Sequence, residues 1–203
     1  MRNPIDRLFG RLPKPARVAL DWLFTIIGAV AIVLAIKAWV VNPYRIPTSS
    51  MEPTLHCARP SPGCEAKISD RVLADRVTYH FRSPRRGEII VFKTPEAARQ
   101  ECSGTSDSGV FVKRLVGLPG ETISEKRGYI YINGKKLIEN YIQPGRRGMR
   151  NTDAQRVPKG WYFFMGDNRA SSCDSRDWGP VPRSNLIGKV FMTYWPPNRI
   201  SFH

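Results

Sequence analysis

Twenty consecutive residues, Trp22 to Val41, carry a single charge, Lys37. A helix of that length is about 30 Å long, the thickness of a bilayer's hydrocarbon core. This run gives one end of the chain to lipid and leaves residues 42–203 to fold in water. Lys37 stands about one turn from the end of the run, where its aliphatic stem can carry the ammonium to the interface. Trp22 and Trp39 flank the run as interfacial anchors do. Before it stand Arg2, Arg7, Arg11, Lys14 and Arg17 against Asp6 and Asp21. That positive excess holds a tail in the cytoplasm and sends the rest across the membrane. A cleaved secretory signal is the competing explanation. The run is long for a signal's apolar core, and no small-x-small site precedes a polar start. The expected organisation is a cytoplasmic basic tail at 1–21, a signal anchor at 22–41 and an extracytoplasmic domain at 42–203.

The net charge of +15 and pI near 10.2 show only that acidic surfaces attract the chain; nucleic acid and anionic lipid headgroups both qualify. The four cysteines are Cys57, Cys64, Cys102 and Cys173. An even number in an exported domain points to disulfides. Cys57 and Cys64 bracket a Pro/Gly loop and form the natural local pair, leaving Cys102 with Cys173. Loop entropy assigns about 2.5 kcal/mol to the short bridge and about 4.4 kcal/mol to the long one. A zinc site is disfavoured, because the spacing lacks C-x-x-C and only His56 lies near a cysteine.

After the apolar run the pattern is that of strands and turns. Short β-rich stretches occur at 71–74, 88–92, 110–116, 128–132, 161–165 and 186–194. Asn133-Gly134 after Tyr129-Ile130-Tyr131-Ile132 is a hairpin signal, within a smaller inserted region at about 123–160. No second helix of useful length is expected. The polar stretches 94–109 and 143–157 read as surface loops.

Pro47-Thr48-Ser49-Ser50-Met51-Glu52-Pro53-Thr54-Leu55 follows the apolar run closely and sets Ser50 at the bilayer surface. A serine hydroxyl is a weak nucleophile without a base in reach. The three histidines, His56, His80 and His203, offer no pattern of a Ser-His-Asp triad. A lysine serves as base only when neutral, which requires an apolar surround. In Val110-Phe111-Val112-Lys113-Arg114-Leu115-Val116, period-two alternation sets Lys113 on the face of Phe111 and Leu115, and Arg114 on the other with Val112 and Val116. A lone lysine on an apolar strand face also serves as an edge-strand guard.

Four blocks in order, Ser50-Met51-Glu52-Pro53-Thr54-Leu55, Arg86-Gly87-Glu88-Ile89-Ile90-Val91-Phe92, Val112 to Glu121, and Gly166-Asp167-Asn168-Arg169 through Ser172-Cys173-Asp174-Ser175-Arg176, resemble the type I (bacterial) signal peptidases. These are membrane-anchored proteases that remove signal peptides from exported precursors. With the anchor, the likeness runs from about Trp22 to Tyr194. It implies a mainly β fold, an antiparallel barrel-like sheet domain preceded by one transmembrane helix. It implies Ser50 as acylated nucleophile and Lys113 as general base, with Thr48 assisting the oxyanion and Ser172 orienting the amine. Arg114 with Asp167 and Asp174 with Arg176 resemble bracing ion pairs. Tyr44, Ile46, Pro47, Met51, Leu55, Val91, Phe111 and Val112 resemble the lining of shallow pockets that admit small residues at −1 and −3 of a precursor. No metal, cofactor or nucleic acid is implied; the partners are precursors and the bilayer of the cell membrane. One departure stands out: the family commonly carries Asp-Asn where this chain has Ala170-Ser171. Two other functions compete. A self-cleaving repressor type of Ser-Lys protease carries a DNA-binding module where this chain has its apolar run. A basic anchored binding module without catalysis leaves the apolar placement of Lys113 unexplained.

Overall fold

The computed structural model describes residues 13–102 and 109–203. Arg2, Asp6, Arg7 and Arg11 of the basic tail lie outside the described residues. The chain divides into two compact units, Met1–Val41 and Asn42–His203.

In the first unit, helix α1 covers Lys14–Trp39. It begins eight residues before the expected span and ends short of Val41. Pro15 sits in the first turn, where its missing N–H costs nothing, and the residues from Ala16 to Leu20 contain no helix breaker. The helix therefore extends into what reads by composition as tail. At the other end, Asn42 precedes a proline and is biased to extended backbone, so the chain has left the helix before its apolar run is complete. The stretch Lys14–Ala35 is long and apolar enough to cross a membrane by length and composition.

The strands are β1 (Val41–Arg45), β2 (Arg71–Asp75), β3 (Ile89–Lys93), β4 (Val110–Gly117), β5 (Thr122–Lys126), β6 (Tyr129–Ile132), β7 (Lys135–Lys136), β8 (Thr152–Arg156), β9 (Trp161–Met165), β10 (Val181–Pro182), β11 (Leu186–Trp195) and β12 (Ser201–Phe202). Single-turn or short helices are α2 (Thr78–Phe81), α3 (Glu96–Glu101) and α4 (Ser175–Trp178). The large sheet runs β1-β2-β11-β3-β4-β9-β10, with β12 on β11; a second sheet runs β7-β6-β5-β8. The strand pairs around the site are antiparallel. This is a mainly β, antiparallel architecture.

Register places the chemistry. Ile90 lies opposite Lys113, Val91 opposite Val112 and Phe92 opposite Phe111. One face joins Ile89, Val91, Val72 and Val190 to Ile46, Met51 and Leu55 in a buried cluster. The other joins Ile90, Phe92, Leu115 and Phe164, with Phe111 packed against them. Between Leu115 and Gly117 the register of β4 against β9 shifts by a bulge. The bulged strand leads into the second sheet, whose core is Val116, Ile123, Ile130, Val157, Phe163 and Met165. Gly117 is required there, because a Cβ would stand 2.8 Å from Phe163 Cβ.

Two expected loops contain regular structure. α3 lies within 94–109: Pro95 adopts extended backbone at its N-cap, and the helix buries Ala98 against Cys102 and Trp178. Its six residues owe their form to that packing, since so short a helix is not stable alone. β8 lies within 143–157 and pairs with β5. It is an edge strand of polar residues, so it lacks the apolar alternation that marks a strand in sequence.

Candidate active site

Ser50 lies in a 3-10 turn, Ser49–Met51, whose three residues are buried. Glu52 N–H donates to Ser49 O at 3.1 Å and Leu55 N–H to Met51 O at 2.9 Å. Met51 and Leu55 enter the apolar cluster and fasten the turn to the sheet. From outside, Asn168 holds both serine carbonyls: its backbone N–H donates to Ser50 O at 3.1 Å, and its Nδ2 to Ser49 O at 3.1 Å. Thr54 Oγ1 donates to Asp167 Oδ2 at 2.5 Å. The Ser50 turn and the Gly166–Ser172 loop are thus stitched together side by side.

Lys113 enters from β4 and is 3% exposed. Its Nζ donates to Ser172 Oγ at 3.2 Å and lies 5.7 Å from the centroid of the Phe111 ring. Burial drives the amine down from 10.5 to about 8, opposed by Asp174, aided by Arg176, and opposed to a smaller extent by Asp167 and Asp177. About a tenth of the amine is therefore neutral at pH 7, far more than for a solvated lysine. Ser50 Oγ lies 3.3 Å from Thr48 Oγ1. Among the described residues, Lys113 Nζ bonds only Ser172, and Ser50 is not bonded to any histidine: His56 pairs with Glu52 and His203 with Thr193. Gly166 separates the two halves. A Cβ on it would stand 2.3 Å from both Ser172 Oγ and the Ser50 carbonyl oxygen, so these groups face each other across a bare Cα.

The bracing pairs are buried rather than superficial. Arg114 grips Asp167 through two bonds, Nε to Oδ1 at 2.8 Å and Nη2 to Oδ2 at 2.6 Å. Arg176 grips Asp174 likewise, at 2.8 and 2.9 Å. Burial pushes the Asp174 carboxyl up, but Arg176, Lys113 and the Gly166 N–H reverse this and hold it below its ordinary value. Asp174 also caps α4 in a capping box with Asp177. Disulfides join Cys57 to Cys64 and Cys102 to Cys173. The second adjoins Ser172 and packs with Trp178 against Phe111, whose ring stacks on Trp178 at 5.1 Å.

Of the expected pocket residues, Tyr44, Ile46, Met51, Leu55, Val91 and Val112 meet in one cluster. Phe111 lies with the other cluster beside Lys113, and Pro47 is exposed.

The family profile for signal peptidase, peptidase S26, matches residues 19–195. The chain belongs to the signal peptidase family. It is 38% identical to signal peptidase I of Leptolyngbya laminosa, over 93% of this chain and 85% of that protein. It is 37% identical to probable signal peptidase I-2 of Synechocystis sp., over 92% and 78% respectively. It is 31% identical to signal peptidase I of Mycobacterium tuberculosis, over 92% and 76%. A crystal structure of a signal peptidase I from Enterococcus faecalis is 30% identical, with a TM-score of 0.43, covering 54% of this chain and 97% of that one.

In this member of the signal peptidase family, several site residues escape a reading of sequence alone. Asn168 and Gly166 lie inside a recognisable block, yet their work is to hold backbone and to leave space, which no residue type advertises. Glu139 and Glu125 pair with Arg169 and Arg176 from the second sheet's unit of chain. The Ala170-Ser171 departure leaves the loop held by backbone: Ala170 N–H donates to Arg146 O at 3.1 Å and Ser171 N–H to Asn168 O at 3.0 Å. Glu52, His56 and Glu65 bring ligand-type atoms within 4.8 Å of one another. Each already has a protein partner. Glu52 accepts from the Cys57 and Glu65 amides and from His56, and Glu65 pairs with Arg146.

Proposed function

We propose that this protein is a membrane-associated serine endopeptidase that removes signal peptides from exported precursors, with Ser50 as nucleophile and Lys113 as base. The observation that carries the mechanism is a buried lysine amine beside the Phe111 ring, held near 8 and bonded to a hydroxyl on the loop that grips Ser50. Neutral Lys113 accepts the Ser50 proton as the hydroxyl attacks the scissile carbonyl. The same proton passes to the leaving amine, and an acyl-enzyme forms. Lys113 then takes a proton from the water that hydrolyses it and returns that proton to Ser50 Oγ as the ester bond breaks. Catalytic hydrogen bonds are commonly long in free enzymes and tighten with substrate. The Ser50 N–H and the Thr48 hydroxyl receive the oxyanion, at about 3 kcal/mol per donor.

The precursor binds as an extended strand, and its small side chains at −1 and −3 meet the partly exposed Tyr44 and Val112, backed by the buried Ile46, Met51, Leu55 and Val91. The tail's positive charge places the N-terminus in the cytoplasm and residues 42–203 on the far side. Detergent-solubilised protein is incubated with a peptide containing Ala-x-Ala. Wild type cleaves after the second alanine, and Ser50→Ala and Lys113→Arg do not, since arginine stays charged. Cleavage by Ser50→Ala at the wild-type rate would refute this assignment.

A further inference from the structure

The second sheet and the chain that follows it send two buried carboxylates into the loop beside the lysine. Glu139, fully buried at its side chain, pairs with Arg169, equally buried. It also accepts from Arg147 Nη1 at 2.9 Å and from Tyr141 OH at 2.9 Å. Arg169 Nε in turn donates to Gly166 O at 3.2 Å, and Arg176 Nη2 donates to Arg169 O at 2.8 Å. The ring of Tyr141 lies 4.1 Å from the Arg114 guanidinium, which holds Asp167. Glu125 pairs with Arg176 at 3.3 Å, and its other oxygen has no partner among the described residues. Glu139 therefore reaches both flanks of Gly166: the carbonyl through Arg169, and Asp167 through Tyr141 and Arg114.

A buried, multiply bonded charge cluster is poor at adding stability, but it holds its members in one arrangement, because removing a member leaves a buried charge unsatisfied. We infer that Glu139 is a positioning residue for the proteolytic site, setting the Gly166–Ser172 loop against Lys113 through Arg169. The inference rests on the Ser50/Lys113 assignment above. Loss of the Glu139 charge leaves Arg169 unbalanced, releases the Gly166 carbonyl and lets water reach the amine. The largest charged influences on Lys113 are Asp174, Arg176, Asp167 and Asp177, and the substitution replaces none of them.

The test is Glu139→Gln in full-length protein in detergent, with Arg169→Lys as a second variant. Expected are a fall in kcat of about tenfold or more with KM within about twofold, and an upward move of about one pH unit in the rising limb of the rate profile, as the amine regains solvent. The position of that limb does not depend on how much protein is folded. A limb unmoved, with activity lost only in proportion to folded protein by near-ultraviolet circular dichroism, would overturn the inference. So would wild-type kcat and limb in both variants. A parallel measurement needs no activity: acetic anhydride labelling of Lys113 across pH, in Ser50→Ala with and without Glu139→Gln. Cleavage by Ser50→Ala would sink the proteolytic assignment, whereas an unchanged Lys113 titration in the double variant would sink the positioning role.

Discussion

Lys113 is expensive where it is placed. An amine held near 8 in the fold against an ordinary 10.5 loses about 3 kcal/mol of stability through its burial at neutral pH. The folded pKa is depressed, so the cost is complete below pH 8. It shrinks as pH rises from 8 towards 10.5, where the unfolded amine also sheds its proton. Lys113→Met is expected to be inactive yet more stable than wild type by up to about 3 kcal/mol at pH 7, with the gap closing by pH 10. Denaturant unfolding at both pH values reads this out. Activity of the wild type rises with pH through about 8 for the same reason, and a rate independent of pH from 6 to 10 would exclude Lys113 as base. Gly166 shows the complementary constraint, space rather than charge. Its alanine variant meets Ser172 Oγ and Ser50 O at 2.3 Å. It is expected to lose about a hundredfold in kcat by moving the amine's partner while retaining a cooperative unfolding transition.

The elements that carry these residues were unevenly legible. Strand β4 announces itself because Phe111, Lys113 and Leu115 alternate with Val112, Arg114 and Val116, and the faces found are those expected. α3 and β8 do not, because their residues are polar and tertiary packing decides their form. Glu139 and Glu125 were illegible for a related reason. Carboxylates in a hairpin region read as surface, and their arginine partners lie 30 and 51 residues away. The apolar run was visible but its helix was not delimited by it, since α1 extends through Lys14–Asp21, where hydropathy falls but helix propensity does not. Among the short elements, α3 has a role its size conceals: Cys102 at its C-cap is bonded to Cys173, directly after Ser172. Cys102→Ser with Cys173→Ser is expected to cost up to about 4 kcal/mol of stability. It is also expected to lower kcat, because the residue next to Ser172 loses its cross-link to α3. Full activity of the reduced or doubly substituted protein would show that the hydrogen bonds of the loop suffice alone.

For the whole molecule, the division at Val41 separates two tasks. The second unit holds every residue assigned to chemistry and has its own buried clusters. The first unit offers a helix able to cross a membrane. Confinement of enzyme and precursor to one bilayer turns their encounter into a nearly intramolecular event, worth a factor of about 10² to 10⁴ in effective concentration. A chain lacking residues 1–39 is therefore expected to hydrolyse a soluble Ala-x-Ala peptide within about threefold of the full-length rate. It is expected to process a bilayer-embedded precursor at least about a hundredfold more slowly. Of the net charge of +15, residues 40–203 keep +11, which is expected to supply a second, weaker attraction to anionic lipid, and vesicle composition separates the two. In neutral vesicles the whole deficit appears. In anionic vesicles at low salt part of it is restored, and added salt removes that part again. Equal losses on the peptide and the precursor would instead assign the helix a part in supporting the catalytic unit, and the proximity argument would fail.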